Sequence, residues 1–168
     1  MKILGLGGWS GAGKTTLLSK LIPELIRRGV TVSTMKHAHH GFDVDQPGKD
    51  SYVHRQAGAT EVLVASEKRW ALMHESRQAQ EPTATELARH MSPVDLLLVE
   101  GFKREAHDKL EIYRAENNKP LLSTSDPTYV AILSDTDVSG TSLPVIDLND
   151  VSAIADFILR HCGLQPRS

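Results

Sequence analysis

The 168-residue chain has one cysteine, few aromatic side chains and no long hydrophobic run. Cys162 alone cannot form an internal disulfide or build a thiolate metal site. The longest apolar run, around 96–99, is far shorter than the ~20 residues that a membrane-spanning helix needs. The first residues, Met1–Gly7, lack the apolar core and cleavage site of a signal peptide. These absences predict a reduced, cytoplasmic protein.

The chain also lacks an excess of charge of either sign, with 19 Lys and Arg against 21 Asp and Glu, and it contains no long basic block. Proteins that bind nucleic acid or membranes through bulk electrostatics carry such excesses. We therefore expect neither nucleic acid nor a membrane among the partners. The length suits a single globular domain over residues 1–168.

Strand-like and helix-like segments alternate along the chain. Residues 2–7 predict a strand, the apolar side chains of 15–28 fall on one face of a helix, and a second strand-like run covers 30–35. A strand, a helix and a strand in this order form a right-handed βαβ unit with parallel strands. The pattern predicts an α/β fold with a mostly parallel sheet.

The rest of the chain adds one departure from this pattern. Two strand-like runs, 61–65 and 69–74, flank a short polar turn, which predicts an added antiparallel hairpin. The nearly all-apolar run 94–99 is typical of a central strand covered on both faces. Further strands are predicted at 109–114, 129–133 and 145–148, and further helices at 52–56, 83–91 and 150–159.

One motif indicates the chemistry. The octapeptide Gly8-Trp9-Ser10-Gly11-Ala12-Gly13-Lys14-Thr15 matches the G-x-x-x-x-G-K-[ST] pattern of a phosphate-binding loop, the P-loop. Its glycines let backbone N–H groups turn onto a polyphosphate at the positive end of a helix. Lys14 supplies a charge to the terminal phosphates, and the Thr15 hydroxyl can ligate Mg²⁺. The predicted nucleotide-binding residues are Gly8, Ser10, Gly11, Ala12, Gly13, Lys14, Thr15 and Thr16, in a P-loop three-layer sandwich.

A magnesium site in such proteins usually adds an acidic residue at the end of a buried strand. Asp95 and Glu100 both flank the predicted central strand, about 16 Å apart in an extended chain, so both cannot bind one ion. Because ligands gather at the carboxyl ends of strands in open α/β sheets, Glu100 is the predicted partner of Thr15 in the metal site. Asp95 is then a strand-start or capping residue.

A long polar stretch follows the second strand, and it has three interpretations: a phosphate-side or substrate-side role, metal binding, or a solvated loop. Because the segment follows the second strand, it would start near the phosphate end of a nucleotide. There Lys36, His37 and Asp43 could contact phosphate, magnesium-bound water or an anionic second substrate. Alternatively, four histidines and three aspartates could bind Zn²⁺ or Ni²⁺, as in a metallochaperone GTPase. These residues are His37, His39, His40, His54, Asp43, Asp45 and Asp50.

The residues that would select the base are less evident. Asn118-Lys119-Pro120-Leu121 begins like the Asn-Lys-x-Asp element of guanine-specific sites, but Leu121 stands where the acid should be. Ser134, Asp135 and Asp137, which follow a predicted strand, could supply a carboxylate near a base. Trp9 could shield the site, contact a partner or have no role.

Several segments together resemble the molybdopterin-guanine dinucleotide biosynthesis adapter proteins, the MobB family. The similarity covers most of residues 1–115. It rests on the loop 8–16, on the run 35–51 with its sequence MKHAHHGFDVDQPGKDS, on Ala57-Gly58-Ala59, and on Val99-Glu100-Gly101-Phe102-Lys103. The middle run is far more specific than the phosphate loop, which many unrelated nucleotide-binding proteins share.

The resemblance implies a GTP-binding P-loop protein, usually a homodimer, with slow GTP hydrolysis. Such proteins assist the nucleotidyltransferase that joins GMP to molybdopterin, and molybdopterin itself or molybdoenzyme chaperones could be further partners. Carried over by position, Lys14 and Glu100 would be the catalytic residues. The residues that would face the nucleotide or the pterin's phosphate are Lys36, His37, Asp43, Asp45 and Lys103.

Hydrolysis requires an in-line water, Mg²⁺ and charge stabilisation of the γ-phosphoryl group. The sequence offers no obvious glutamine for the water, and nothing selects among Arg55, Arg104 and an arginine of a second subunit as a finger. We therefore expect poor catalysis in isolation and a role in binding and handing over. A small-molecule kinase remains a further hypothesis, although the segment 101–107 is short for an arginine-bearing lid.

Overall fold

The structure, a computed structural model, describes residues 1–38, 41–77, 80–102 and 105–165. Their backbone forms two compact units. The main unit comprises residues 1–37 and the described residues from 83 onward, and the insert comprises the described residues within 38–82. No helix in the described part of the chain is both long and apolar enough to cross a membrane.

The main unit is built on a six-stranded sheet in which every strand pair is parallel. The strand order is β2-β5-β1-β6-β7-β8. The strands are β1 (Lys2–Gly7), β2 (Val32–Lys36), β5 (Leu96–Glu100), β6 (Lys109–Tyr113), β7 (Tyr129–Ser134) and β8 (Val145–Asp147). The predicted parallel α/β sheet is confirmed.

Helices cover both faces of this sheet. On one face, α1 (Lys14–Arg27) contributes Leu17, Leu21 and Leu25, and α4 (Val151–Cys162) contributes Ile154 and Ile158, to the larger hydrophobic core. On the other face, α3 (Ala84–Ala88) packs Ala84 and Ala88 against Leu97 and Val99. The main unit is therefore the predicted three-layer sandwich.

Strand β5 explains why one segment of the sequence is almost entirely apolar. Leu96 and Leu98 point into the larger core, whereas Leu97 and Val99 point into the core on the opposite face. All four are at most 1% exposed. A strand buried on both faces cannot alternate apolar with polar residues, because either face would then bury a polar side chain.

The insert contains α2 (Asp50–Gln56) and the strands β3 (Glu61–Ala65) and β4 (Trp70–His74). The two strands pair antiparallel, with Leu63 opposite Leu72 and Ala65 opposite Trp70. This is the predicted hairpin, which the structure confirms. An ion-pair network around Arg55 stabilises the insert by joining its first loop, α2 and the residue after β4.

Candidate functional site

The predicted phosphate loop connects the carboxyl end of β1 to the first turn of α1. Gly8 must be glycine because a Cβ there would lie 2.7 Å from the carbonyl oxygen of Ile112, in the neighbouring strand β6. Gly13 precedes α1 with φ 93° and ψ 18°, the left-handed conformation that side chains disfavour. The loop therefore lies close against β6 and turns sharply into the helix.

The start of α1 presents hydrogen-bond donors that the helix itself does not use. The first helical bond runs from the N–H of Leu17 to the carbonyl of Gly13, at 2.9 Å. The N-cap residue is Gly13, which has no side chain to cap this helix N-terminus. The N–H groups of Lys14, Thr15 and Thr16 precede the first helical donor, and such groups together with the helix dipole attract anions. The geometry suits a phosphate.

Lys14 lies across the loop and is half-buried. Its Nζ donates to the carbonyl oxygens of Gly8 at 2.8 Å and Trp9 at 3.1 Å. These bonds hold an ammonium group beside the donors of the helix start. An ammonium has three donors, so it can bind a phosphate oxygen while it keeps a contact with the loop.

Residues of nearby strands contact the end of β1, from which the loop starts. The Tyr129 ring packs against Gly7, where any side chain would collide with it. Burial, with a smaller contribution from the Glu111 carboxylate, raises the pKa of Tyr129 to about 12, so its hydroxyl stays protonated. Glu111 is fully buried, and its carboxylate accepts hydrogen bonds from the N–H groups of Leu122 at 2.6 Å and Ser123 at 2.9 Å.

Trp9 anchors the outer side of the loop. Its indole N–H donates to the Pro120 carbonyl at 2.8 Å, and the Lys119 ammonium lies 5.8 Å from the centre of its ring. The structure therefore gives Trp9 a role that was not predicted from the sequence, a contact within the chain. It also places the Asn118–Leu121 segment beside the phosphate loop.

Arg114 is a site residue that sequence reasoning missed. It directly follows β6, and its Nε donates to the carbonyl oxygen of Ala12 in the phosphate loop at 3.3 Å. Its Nη1 donates to Asp135, which follows β7, at 2.6 Å. The sequence signal that could have identified it is its position directly after a predicted strand, because the carboxyl ends of parallel strands meet at one edge of the sheet.

Glu100 lies at the same edge of the sheet as the loop. It ends β5, opposite Leu6 of β1 and Lys36 of β2 in the strand register. Its side chain is 16% exposed, and its carboxylate lies 3.9 Å from the Lys36 ammonium. Its carbonyl accepts a hydrogen bond from the N–H of His37 at 2.8 Å. Lys36 and His37 therefore lie at this edge, as predicted.

Asp95 lies at the opposite end of β5. Its carboxylate accepts hydrogen bonds from the Thr31 N–H at 2.9 Å and the Thr31 hydroxyl at 2.7 Å. The Thr31 hydroxyl oxygen in turn accepts from the Asp95 N–H at 2.8 Å. These bonds join the starts of β2 and β5, which is the strand-start role expected for Asp95.

The donor set at the loop edge fits magnesium. Mg²⁺ prefers oxygen ligands and typically takes one or two protein groups together with water and substrate phosphates. Thr15 is an exposed residue in the first turn of α1, and Glu100 provides a partly exposed carboxylate at the end of β5. These residues would hold the ion together with the phosphates.

A depression in the surface lies at the carboxyl ends of β7 and β8. Its volume is about 660 Å³, and it is lined by Ser134, Asp135, Thr136, Asp137, Val138, Val145 and Asp147. The residues suggested from the sequence for base contacts are therefore grouped in one place. Asp135 is paired with Arg114, and Asp147 accepts a hydrogen bond from the Asn149 N–H at 2.8 Å.

Asp43 and Asp45, predicted to face the nucleotide or the pterin's phosphate, belong to the insert. Their carboxylates lie 2.8 Å and 3.4 Å from the Arg55 guanidinium, which also pairs with Glu75 at 2.8 Å. The hydrogen bonds with Arg55 hold the pKa of Asp43 below its usual range. Their contact with a ligand stays a prediction.

Four residues named from the sequence, His39, His40, Lys103 and Arg104, lie outside the described residues. Among the described residues, no group of three or more His, Cys, Asp or Glu side chains is arranged to hold a metal ion. Neither the described residues nor the comparisons with known proteins support the metallochaperone hypothesis.

Comparison with protein families adds an independent result. Residues 3–135 match the model of the family described as molybdopterin guanine dinucleotide synthesis protein B, MobB. The molybdopterin-guanine dinucleotide biosynthesis adapter protein of Escherichia coli K12 is 44% identical over 160 residues, which is 94% of this chain and 91% of the relative. Its counterpart in Haemophilus influenzae Rd is 42% identical, over 93% of this chain and 86% of the relative.

Solved structures agree with the sequence comparisons. A crystal structure of molybdopterin-guanine biosynthesis protein B superposes with a TM-score of 0.74 and 26% identity, covering 95% of this chain and 99% of that one. The crystal structure of Bacillus subtilis MobB gives a TM-score of 0.73 at 24% identity, which supports the fold. The similarity extends well beyond the phosphate loop into the rest of the chain.

Proposed function

Because this chain belongs to the MobB family and is an adapter in molybdopterin guanine dinucleotide biosynthesis, we propose that it acts by binding GTP with Mg²⁺. The adapter role implies interaction with the nucleotidyltransferase that attaches GMP to molybdopterin. In this proposal, the phosphate loop 8–16 holds the triphosphate beside that enzyme. We extend the proposal to a cytoplasmic location, where GTP is available.

The observation that carries the proposal is the combination of the loop and Lys14. The uncapped start of α1 supplies backbone donors, and Lys14 adds a positive charge held over the loop by two carbonyls. Both features favour a ligand that carries several negative charges close together. A triphosphate is such a ligand.

Thr15 and Glu100 complete the phosphate side of the proposed site. When bound with the nucleotide, Mg²⁺ would neutralise charge on the outer phosphates. Glu100 ends β5, which pairs with β1 on one side and with β2 on the other, so its backbone position at this edge of the sheet is fixed. The nearby Lys36 and His37 are suited to contact phosphate oxygens or an anionic pterin substrate.

The carboxylates at the ends of β7 and β8 support a preference for guanine. Guanine presents an N1–H and an amino group side by side, both of which a carboxylate accepts, whereas adenine presents an acceptor at N1. Asp135 and Asp147 already have hydrogen-bond partners in the chain. We therefore assign the guanine contact to Asp137.

Replacing Asp137 with alanine is expected to lower the preference for GTP over ATP by about tenfold, because a charge-assisted pair of hydrogen bonds is lost. Calorimetric titration with each nucleotide measures this ratio. Asp147→Ala, in the same depression, is the control and should keep the preference. An unchanged ratio in the Asp137 variant would remove the assignment.

Binding rather than turnover is the proposed task, with GTP hydrolysis slow at most. Arg55, one candidate for a catalytic arginine, is held by three carboxylates within the insert. Releasing it would leave Asp43, Asp45 and Glu75 without their shared cation. The proposal therefore does not use Arg55 in hydrolysis.

The hairpin of the insert supports a homodimer. Leu63, Trp70 and Leu72 lie on one face of β3 and β4 and are 59%, 63% and 44% exposed. A contiguous exposed apolar face marks an interaction surface, and we propose that a second copy of the chain covers it.

Analytical ultracentrifugation should show a dimer of the wild-type chain, and Leu72→Lys should shift the protein towards the monomer. An unchanged mass in this variant would argue against the hairpin face as the interface.

The experiment that tests the proposed function reconstitutes the adapter with the molybdopterin nucleotidyltransferase, GTP and Mg²⁺. The chain should increase the yield of guanine dinucleotide, and Lys14→Ala should abolish that increase while the variant still binds the enzyme. Equal stimulation by both proteins would show that the adapter works without its own nucleotide site.

A further inference from the structure

Arg114 connects two parts of the main unit that are far apart in the sequence. Its guanidinium contacts the Ala12 carbonyl oxygen through Nε, at 3.3 Å, and the Asp135 carboxylate through Nη1, at 2.6 Å. The side chains of Arg114 and Asp135 are 27% and 23% exposed, so water competes only partly for these bonds. The same guanidinium would lie 3.5 Å from a Cβ at Gly13.

The contact with Ala12 fixes the orientation of one peptide unit. In a trans peptide, the carbonyl of Ala12 and the N–H of Gly13 point in opposite directions across the same plane. The described peptides contain no cis bond. An arginine that holds the Ala12 carbonyl in one direction therefore directs the Gly13 N–H in the opposite direction.

The glycines on either side of Ala12 leave this part of the loop with little conformational restriction of its own. Gly11 and Gly13 both have positive φ, 83° and 93°, and glycines reach many other conformations at no steric cost. Gly13, the N-cap residue of α1, provides no side-chain cap. A loop that is already in its binding conformation loses less entropy when a ligand binds.

We propose that Arg114 is a positioning residue: clamped by Asp135, it holds the Ala12–Gly13 peptide so that the Gly13 N–H faces a bound polyphosphate. This inference rests on the proposed nucleotide site and adds two residues to it. Asp135 acts through Arg114 rather than on the ligand. The phosphate loop is thereby tied to the depression at the ends of β7 and β8.

Replacing Arg114 with lysine distinguishes a positioning role of this residue from an effect of its charge alone. A guanidinium can donate to two acceptors in a fixed planar arrangement, whereas a lysine ammonium is a point charge on a flexible stem. Arg114→Lys keeps the charge but loses the planar clamp. If Arg114 attracted phosphate only through its charge, this variant would retain affinity.

The experiment titrates the wild-type chain, Arg114→Ala, Arg114→Lys and Asp135→Asn with GTP and, separately, with tripolyphosphate, which has no base. Mg²⁺ is present throughout, and Arg160→Ala on α4 is the control. Both Arg114 variants should bind both probes about tenfold more weakly, and Asp135→Asn a few-fold more weakly. In the two Arg114 variants and Asp135→Asn, the Gly13 amide should exchange its hydrogen faster, with the thermal midpoint near that of the wild type.

Three results would overturn the inference: wild-type affinity in Arg114→Ala, full affinity in Arg114→Lys, or a loss confined to GTP, which would place Arg114 at the base. If an Arg114 variant fails to fold, Asp135→Asn provides the test, because that variant keeps the arginine. If the wild-type chain binds neither probe, the proposed function itself fails, and this result is distinct from the other three.

Discussion

Replacing Lys14 with alanine is expected to lower the affinity for Mg²⁺-GTP by about a hundredfold, the largest effect of any single substitution in this account. The ammonium is held beside the uncapped helix start by the carbonyls of Gly8 and Trp9. Charge-assisted hydrogen bonds to phosphate are roughly twice as strong as neutral ones. Backbone donors alone cannot replace that charge.

Calorimetric titration measures the loss, and Lys2→Ala provides the matched control. Lys2 is an exposed lysine at the start of β1, at the opposite end of the strand that leads into the loop. Its removal changes the net charge by the same amount and should leave the affinity unchanged. Equal affinities for the two variants would mean that GTP does not bind at this loop.

Replacing Glu100 with glutamine should remove most of the contribution of Mg²⁺ to GTP binding, while binding in the presence of a chelator changes little. Glutamine has almost the same shape, so the pairing of β5 with β1 and β2 is kept. A neutral amide oxygen is a much weaker ligand for a hard divalent cation than a carboxylate. We expect the affinity in Mg²⁺ to fall by about tenfold or more.

Asp95→Asn is the control for Glu100, because it makes the same chemical change at the other end of the same strand. Asp95 bonds to Thr31, so its substitution should lower the free energy of unfolding and leave the magnesium dependence as in the wild type. If Asp95→Asn abolished the magnesium dependence and Glu100→Gln did not, the metal would bind at the edge of the sheet opposite to the proposed one.

The sequence predicted the parts of the site that depend on local pattern. The loop 8–16 follows a predicted strand and precedes a predicted helix, which is the structural context that a phosphate-binding motif requires. Glu100 and Asp95 could be told apart because strand direction is fixed by the βαβ unit, and ligands gather at the carboxyl ends. The hairpin followed from two strand-like runs about a short turn.

The contacts that fix the loop could not be predicted in the same way. Trp9 bonds to Pro120 and Arg114 bonds to Ala12, and each pair is separated by more than a hundred residues. No spacing in the sequence marks such a pair, because the contact arises only when β6 lies beside β1. The network of Arg55 with Asp43, Asp45 and Glu75 likewise depends on how the insert folds.

The most direct measurement follows the backbone amides of the ¹⁵N-labelled chain by NMR during titration with Mg²⁺-GTP. We expect saturable shifts, at one nucleotide per chain, of the amides of Gly11, Gly13, Lys14, Thr15 and Thr16. Saturable binding that leaves these amides unshifted and perturbs another surface would contradict it.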